Sequence, residues 1–264
     1  MAEYLVQDTS LTAVADAIRS KGGTSEALAF PAGFVSAIAA IEAGGSGGGG
    51  EVTPPTTPTD GKTRVYIHLE YGRTSPMLGV CPRGTVTVDW GDGTEPDTLT
   101  GTSTTTVKWT PTHEYTAPGD YVIALTVKGT MGFYGNSASN QYSGILRYAS
   151  GADARNRAYQ NAVQIVEIGE GVTSICNYVF YNCYSLASIT IPESVTTIGS
   201  YAFQNCYGMR YYDFISCPSV PALASTNAFN GIPSDCQMLI PAALYDEWSA
   251  ATNWATYAKY MVAV

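Results

Sequence analysis

The sequence predicts a mainly β, multi-domain chain: a short N-terminal helical hairpin, then a β-sandwich, then a C-terminal repeat solenoid. Three observations lead there. Residues 45–62 (GSGGGGEVTPPTTPTDGK) are a linker, because a glycine run is flexible and a Thr/Pro run is extended. Residues 63–130 alternate apolar and polar with period two. Beyond residue 163 a pattern recurs at a fixed step of 23 residues. The expected domains are therefore 1–44, 63–130 and 131–264, with 45–62 between the first two.

The first segment reads as two helices. Leu11, Val14 and Ile18 share one helical face. Thr9 or Ser10 serves as N-cap, and Gly22-Gly23 ends the helix. Pro31 stands in the first turn of the second helix, whose stripe is Phe34, Ile38 and Ile41. Two helices this short bury little by themselves, so the hairpin is either a small cap or a docking element.

In the second segment Val65, Ile67 and Leu69 share a strand face, as do Val86 and Val88, and Tyr121, Ile123, Leu125 and Val127. Asp92-Gly93 and Pro118-Gly119-Asp120 mark turns, since glycine supplies the backbone conformation a tight turn needs. Val88-Asp89-Trp90-Gly91-Asp92-Gly93-Thr94, then His113-Glu114-Tyr115, then Pro118-Gly119-Asp120-Tyr121, resembles the polycystic-kidney-disease-type (PKD) domain. It departs from that family where Asp89-Trp90 directly precedes the glycine. The resemblance implies an immunoglobulin-like spacer or adhesive module.

In the third segment Val172, Ile175, Phe180, Cys183 and Leu186 recur as Val195, Ile198, Phe203, Cys206 and Met209. A third, degenerate copy sets Ala228-Phe229 against Ala202-Phe203, and Ile240-Pro241 against Ile191-Pro192. Repeats of this length stack, each turn burying its apolar residues against the next. Ala202-Phe203-Gln204-Asn205-Cys206, with Ile189-Thr190-Ile191-Pro192 and Val195-Thr196-Thr197-Ile198-Gly199, resembles the BspA-type leucine-rich repeat. That implies a leucine-rich-repeat solenoid associated with adhesion, and the tail from Pro241 to Met261 resembles its closing cap.

Composition narrows the function. Net charge is -9 and no Lys/Arg cluster occurs, so phosphate neutralisation has no donor and nucleic acid is set aside. No apolar run is long enough for a membrane-spanning helix. The opening Met1-Ala2-Glu3-Tyr4 lacks a basic region followed by an apolar one, so no secretory signal is expected. Cys81, Cys176, Cys183, Cys206, Cys217 and Cys236 include no CxxC pair, and free buried thiols are the expectation. A disulfide between Cys183 and Cys206 stays open.

The two histidines, His68 and His113, have no nucleophile context, so no catalytic residue, cofactor or metal is expected. Asp89, Asp92 and Asp97 read as turn residues in preference to calcium ligands. Fourteen of the 19 tyrosines follow residue 130, among few charges, which is the composition of a binding surface. Strand phasing selects the candidate ligand row. With Ile189 and Ile191 inward, Ser188 and Thr190 point outward. The same phase on neighbouring rungs gives Tyr211 and Asp213, Ile165 and Glu167, and Gln237 and Leu239. Tyr134 and Tyr142 join them from the aperiodic connector 131–160.

The stretch Leu11-Thr-Ala-Val-Ala-Asp-Ala-Ile18, Gly22-Gly23-Thr24 and Phe30-Pro31-Ala-Gly33-Phe34 resembles the opening of tail-associated proteins in phages and prophages of Gram-positive bacteria. The resemblances together imply a phage tail-tip or fibre protein that binds a host receptor. Residues 1–44 would attach to tail or baseplate proteins, and the repeats would bind a host surface molecule such as a glycan. A homo-oligomer on the virion, released by lysis, is the expected setting. Two alternatives stay open at this stage: a structural tail or capsid decoration protein, and a bacterial surface adhesin.

Overall fold

A computed structural model describes residues 58–101, 111–135, 144–148, 159 and 161–264. All belong to one compact unit, Pro55–Val264. The expected helical hairpin and most of the linker lie outside the described residues, as does Tyr142.

The unit is mainly β. In chain order the strands are β1 (Thr63–Leu69), β2 (Pro76–Leu78), β3 (Val80–Asp89), β4 (Asp97–Gly101), β5 (Gly119–Phe133), β6 (Leu146–Tyr148) and β7 (Val163–Glu167). There follow β8 (Val172–Ile175), β9 (Ser188–Thr190), β10 (Thr197–Ile198), β11 (Tyr211–Asp213), β12 (Ala222–Leu223), β13 (Gln237–Ile240) and β14 (Met261–Ala263). One α-helix, α1 (Tyr245–Ala250), and two 3-10 segments, Ala242–Leu244 and Trp254–Tyr260, close the chain.

The strands between residues 63 and 133 alternate as their sequence predicts. β1 shows a strict inside-outside pattern, with Val65, Ile67 and Leu69 buried. β3 pairs antiparallel with both β4 and β5, and β5 pairs antiparallel with β1. These four strands lie in one sheet, and only β2 and β6 form a second, two-stranded one. Among the described residues, then, this region is one broad layer beside a two-stranded one. A balanced immunoglobulin-like sandwich is not what they form.

β5 continues through residue 130 without a break. Its first half pairs with β1, and its last residues pair in parallel with β8. On the far side of β1 lies β7, antiparallel. Each repeat contributes two short strands to two parallel ladders. One ladder runs β7-β9-β11-β13-β14 and the other β8-β10-β12. The expected sandwich and the expected repeats thus share one sheet, in which β1 starts the first ladder and β5 starts the second.

The turn between β7 and β8 fastens this seam. Gly169 N–H donates to Thr63 Oγ1 (2.9 Å), Glu170 N–H to the Gly61 carbonyl (2.9 Å) and Met131 N–H to the Gly171 carbonyl (2.8 Å). Gly171 has φ +77°, and a Cβ there would sit 2.7 Å from the Val127 side chain. Only glycine meets both demands without strain.

Inside the repeats a column of phenylalanines marks the period. Phe180 stacks on Phe203 and Phe203 on Phe229, with centroids 5.1 Å apart in both pairs. All three are buried, as are the apolar residues flanking them. Burying each ring contributes about 1.5–3 kcal/mol before packing is counted. Cys206 Sγ donates to the Phe180 carbonyl and Cys217 Sγ to the Ile191 carbonyl, each one rung back. Cys176, Cys183, Cys206, Cys217 and Cys236 are free thiols.

The other end of the stack is covered by aromatic rings. Trp248 and Trp254 are buried with centroids 4.7 Å apart, and Phe214 packs on both. Trp254 Nε1 donates to the Pro221 carbonyl (2.8 Å), and Asn253 Nδ2 to the Leu223 carbonyl (2.6 Å). These side chains satisfy carbonyls at β12 that a further rung would otherwise have taken.

Candidate functional site

The row chosen by strand phasing is assembled by the first ladder. Glu167, Thr190, Asp213 and Leu239 are register partners on successive strands, as are Ile165, Ser188, Tyr211 and Gln237. Their exposure departs from the expectation. Gln237 is exposed, and Tyr211, Ile165 and Glu167 are half-buried, but Ser188, Asp213 and Leu239 are buried and Thr190 is only 1% exposed. The physical reason lies in how short the rungs are. Period two tells which side of the backbone a residue leaves from, not what covers that side. Thr190 Oγ1 accepts from Ile168 N–H (3.2 Å) on the preceding rung, and Asp213 Oδ1 accepts from Ile215 N–H (2.9 Å). Both side chains are spent on satisfying backbone where strands end. Tyr66 O–H donates to Glu167 Oε2 (3.1 Å), tying this row to β1.

Burial pushes the Asp213 carboxyl pKa above the ordinary value, and the Ile215 N–H offsets that only in part. Tyr134 is buried too, and its ring faces the Arg147 guanidinium at 6.0 Å. It reads as packing under β6.

The turn carrying the PKD-like motif is held internally. Trp90 stacks on His113 (4.8 Å, 11° between planes), and Tyr115 O–H donates to the Trp90 carbonyl (2.9 Å). Trp90 Nε1 donates to Asp97 Oδ2 (2.8 Å), and Asp89 Oδ1 accepts from Gly91 N–H (2.9 Å). Asp92 pairs with His113 Nε2 (2.7 Å) and accepts from the Thr94 hydroxyl and amide. Burial works against the Asp92 charge. The Thr94 hydroxyl, His113 and the Thr94 amide outweigh it and hold the pKa at about 2. The three aspartates therefore have structural partners inside the turn.

A different surface stands out on the segments that cross between the ladders. Residues 177–184 (NYVFYNCY) and 200–207 (SYAFQNCY) carry no charged side chain. They run side by side, joined by Tyr178 N–H to the Ser200 carbonyl, Phe180 N–H to Ala202 and Asn182 N–H to Gln204. Phe180 and Phe203 turn inward, and the tyrosines turn outward. Tyr178 stacks on Tyr201 (4.9 Å, 11°), and Tyr181 meets Tyr178 edge-on at 5.6 Å. Asn227 Nδ2, on the third rung, donates to the Tyr201 hydroxyl (3.2 Å). A second pair, Tyr184 and Tyr207, stacks at 5.2 Å and is 37% and 57% exposed. Asn205 Nδ2 donates to Asn182 Oδ1 (2.9 Å), an amide ladder between the two tyrosine pairs in sequence.

The backbone makes this arrangement unusual. Tyr178 and Tyr201 have φ +62° and +58°, and Asn182 and Asn205 have φ +59° and +62°. Asparagine tolerates the left-handed region, whereas a bulky ring does not. Two tyrosines there cost about 2–4 kcal/mol together, at about 1–2 each. Their stacking returns about 0.5–1.5 kcal/mol. The rings are half-buried, and that burial adds to the return, while the strain itself sits in the backbone. Strain of this kind points to a use for the side chain.

These tyrosines are not in the strand-phased row. The signal that finds them is the same 23-residue step, which links Tyr178 to Tyr201 and Tyr184 to Tyr207. Among the described residues no helix is long and apolar enough to cross a membrane, and no group of His, Cys, Asp and Glu is placed to hold a metal ion.

No curated protein matches the chain significantly, and no solved structure does either. One family model matches, over residues 155–244 and in six copies. The PKD-like and phage-like resemblances have no counterpart among these matches. In residues 155–244, where the strands β7 to β13 and the tyrosine columns lie, the chain is similar to the BspA type leucine-rich repeat region.

Proposed function

We propose that this chain is a non-catalytic host-surface adhesion protein of a phage tail tip or fibre, with its contact surface on the repeats. The observation that carries this reading is the cluster of Tyr178, Tyr181 and Tyr201 on two uncharged segments, with Tyr178 and Tyr201 strained in backbone and stacked across two rungs. A rigid surface of tyrosine and amide groups binds at low entropic cost, because little is left to be ordered on contact. Weak contacts become effective when many copies act together on one particle. The N-terminal resemblance to phage tail proteins supplies the particle, and the repeat type supplies the association with adhesion.

A second reading, a structural tail or capsid decoration protein, draws on β14. It pairs with β13 on one side and ends the ladder, with Val262 and Val264 exposed. An edge strand of this sort offers pairing groups to a neighbour.

The two readings separate in a cell-capture experiment with the full chain displayed densely on beads. Adhesion requires Gram-positive cells to be retained by the wild-type chain and released when Tyr178 and Tyr201 are both changed to asparagine. If no cells are retained at any display density, the decoration reading takes its place.

A further inference from the structure

We propose that the cluster of Tyr178, Tyr181 and Tyr201 is a binding site for a neutral saccharide. This rests on the adhesion reading and names the chemistry of its ligand. Three features of the surface select that class. First, the two segments that build it carry no charge, so neither a phosphate nor a carboxylate finds a counter-ion within them. Second, rings and amides share the same two segments. Tyr178 and Tyr201 spend their facing sides on each other, and a tyrosine face turned away from that stack carries negative charge density that attracts the weakly positive C–H groups of a sugar ring. Beyond the Asn205–Asn182 and Asn227–Tyr201 bonds, the amides of Asn182, Asn205, Gln204 and Asn227 keep donor and acceptor capacity of the kind that matches hydroxyls. Third, the only large apolar side chains exposed on these two segments are Tyr184 and Tyr207. A protein partner would ordinarily find an exposed apolar centre with a polar rim, whereas Tyr178, Tyr181 and Tyr201 are only half-exposed.

The backbone strain sharpens the choice. Asparagine occupies the left-handed positions 182 and 205, where it is tolerated, yet tyrosine occupies 178 and 201, where it is not. The backbone conformation therefore favours a different residue at both places. The ring-to-ring spacing is fixed by the rung spacing, so the cluster is pre-formed and pays little on binding.

The test uses the full chain on a dense array of neutral hexose and N-acetylhexosamine oligosaccharides, printed beside sulfated and carboxylated ones. The expected result is retention on neutral members, and a loss of at least tenfold when Tyr178 and Tyr201 are both changed to asparagine. The variant should melt within a few degrees of the wild type, so lost binding is not lost folding. Three outcomes overturn the site: retention on no neutral member, preference for the anionic ones, or a double variant that binds as well as the wild type. If Gram-positive cells are captured through these tyrosines while every saccharide is ignored, adhesion stands and the receptor is a protein.

Discussion

Two columns of aromatic rings run through the same repeats, two residues apart in sequence. Phe180, Phe203 and Phe229 stack inside, and Tyr178 and Tyr201 stack outside, with centroid spacings of 5.1, 5.1 and 4.9 Å. Period and geometry hardly distinguish them. The phenylalanines are buried at ordinary backbone angles, while the tyrosines are half-buried in the left-handed region. One column is explained by the stability it contributes. The other contributes less, because backbone strain offsets what its stacking and half-burial return.

The sharpest way to break this comparison is to remove the middle of the inner column. Phe203 touches Phe180, Phe229 and Tyr212, so truncation leaves a cavity with rings on several sides. Phe203→Ala should cost about 3–5 kcal/mol. Urea unfolding of the full chain measures it, and a loss below 1 kcal/mol would mean the column is not the core. The next largest effect belongs to the seam that holds the repeats to β1 and β5. Gly171→Ala places a Cβ against Val127 in a left-handed backbone, and should cost about 2–3 kcal/mol. Because both ladders begin on β1 and β5, the loss should be one cooperative transition. Two separate transitions would instead show the repeats folding without their starting strands.

Much of this architecture was legible in the sequence, but unevenly. The alternation of Val65, Ile67 and Leu69 identified β1, and the step from Phe180 to Phe203 identified the rungs. The pairing of β5 with β8 was not legible. Strand patterns say that a strand exists, while its partner depends on contacts between residues as distant as Phe133 and Ile175. The outward exposure expected of Ser188, Thr190, Asp213 and Leu239 was not met for a related reason. Thr190 and Asp213 alternate as outward residues should, but the backbone of adjoining turns claims them. The tyrosine face was visible only as a composition until the backbone angles of Tyr178 and Tyr201 gave it a location.

Two aspartates test, at smaller amplitude, the difference between side chains that stabilise and those that do not. Asp92 has its pKa held at about 2 by Thr94 and His113 against the cost of burial. Its depressed value means stability fully present above the unfolded value near 3.8 and lost as pH falls through about 2. Asp92→Asn should lower stability at pH 7 by about 1 kcal/mol, after solvent screening, and flatten the urea midpoint between pH 4 and pH 2. Asp213 runs the other way. Its pKa is raised, so its ionised form opposes folding, and its contribution worsens as pH climbs from the unfolded value through the folded one. Asp213→Asn keeps an acceptor for Ile215 N–H and should raise the urea midpoint at pH 7 while leaving it unchanged at pH 3. A lower midpoint at pH 7 would show that the charge itself holds the rung.

The smallest stability effect is the one that bears on function. Tyr178→Asn relieves a strained ring of about 1–2 kcal/mol and gives up a stack of about 0.5–1.5 kcal/mol. The two nearly cancel and the half-burial of the ring is the balance, so the variant should unfold within about 2 kcal/mol of the wild type. Its neighbour two residues on, Phe180→Asn, should by contrast be among the worst substitutions in the chain, because it buries an amide where Phe133 and Phe203 pack. If Tyr178→Asn instead costs as much as a core truncation, the outer column is part of the fold. The strain would then be offset by packing, and the argument that tyrosine is held at 178 and 201 for a ligand would lose its basis.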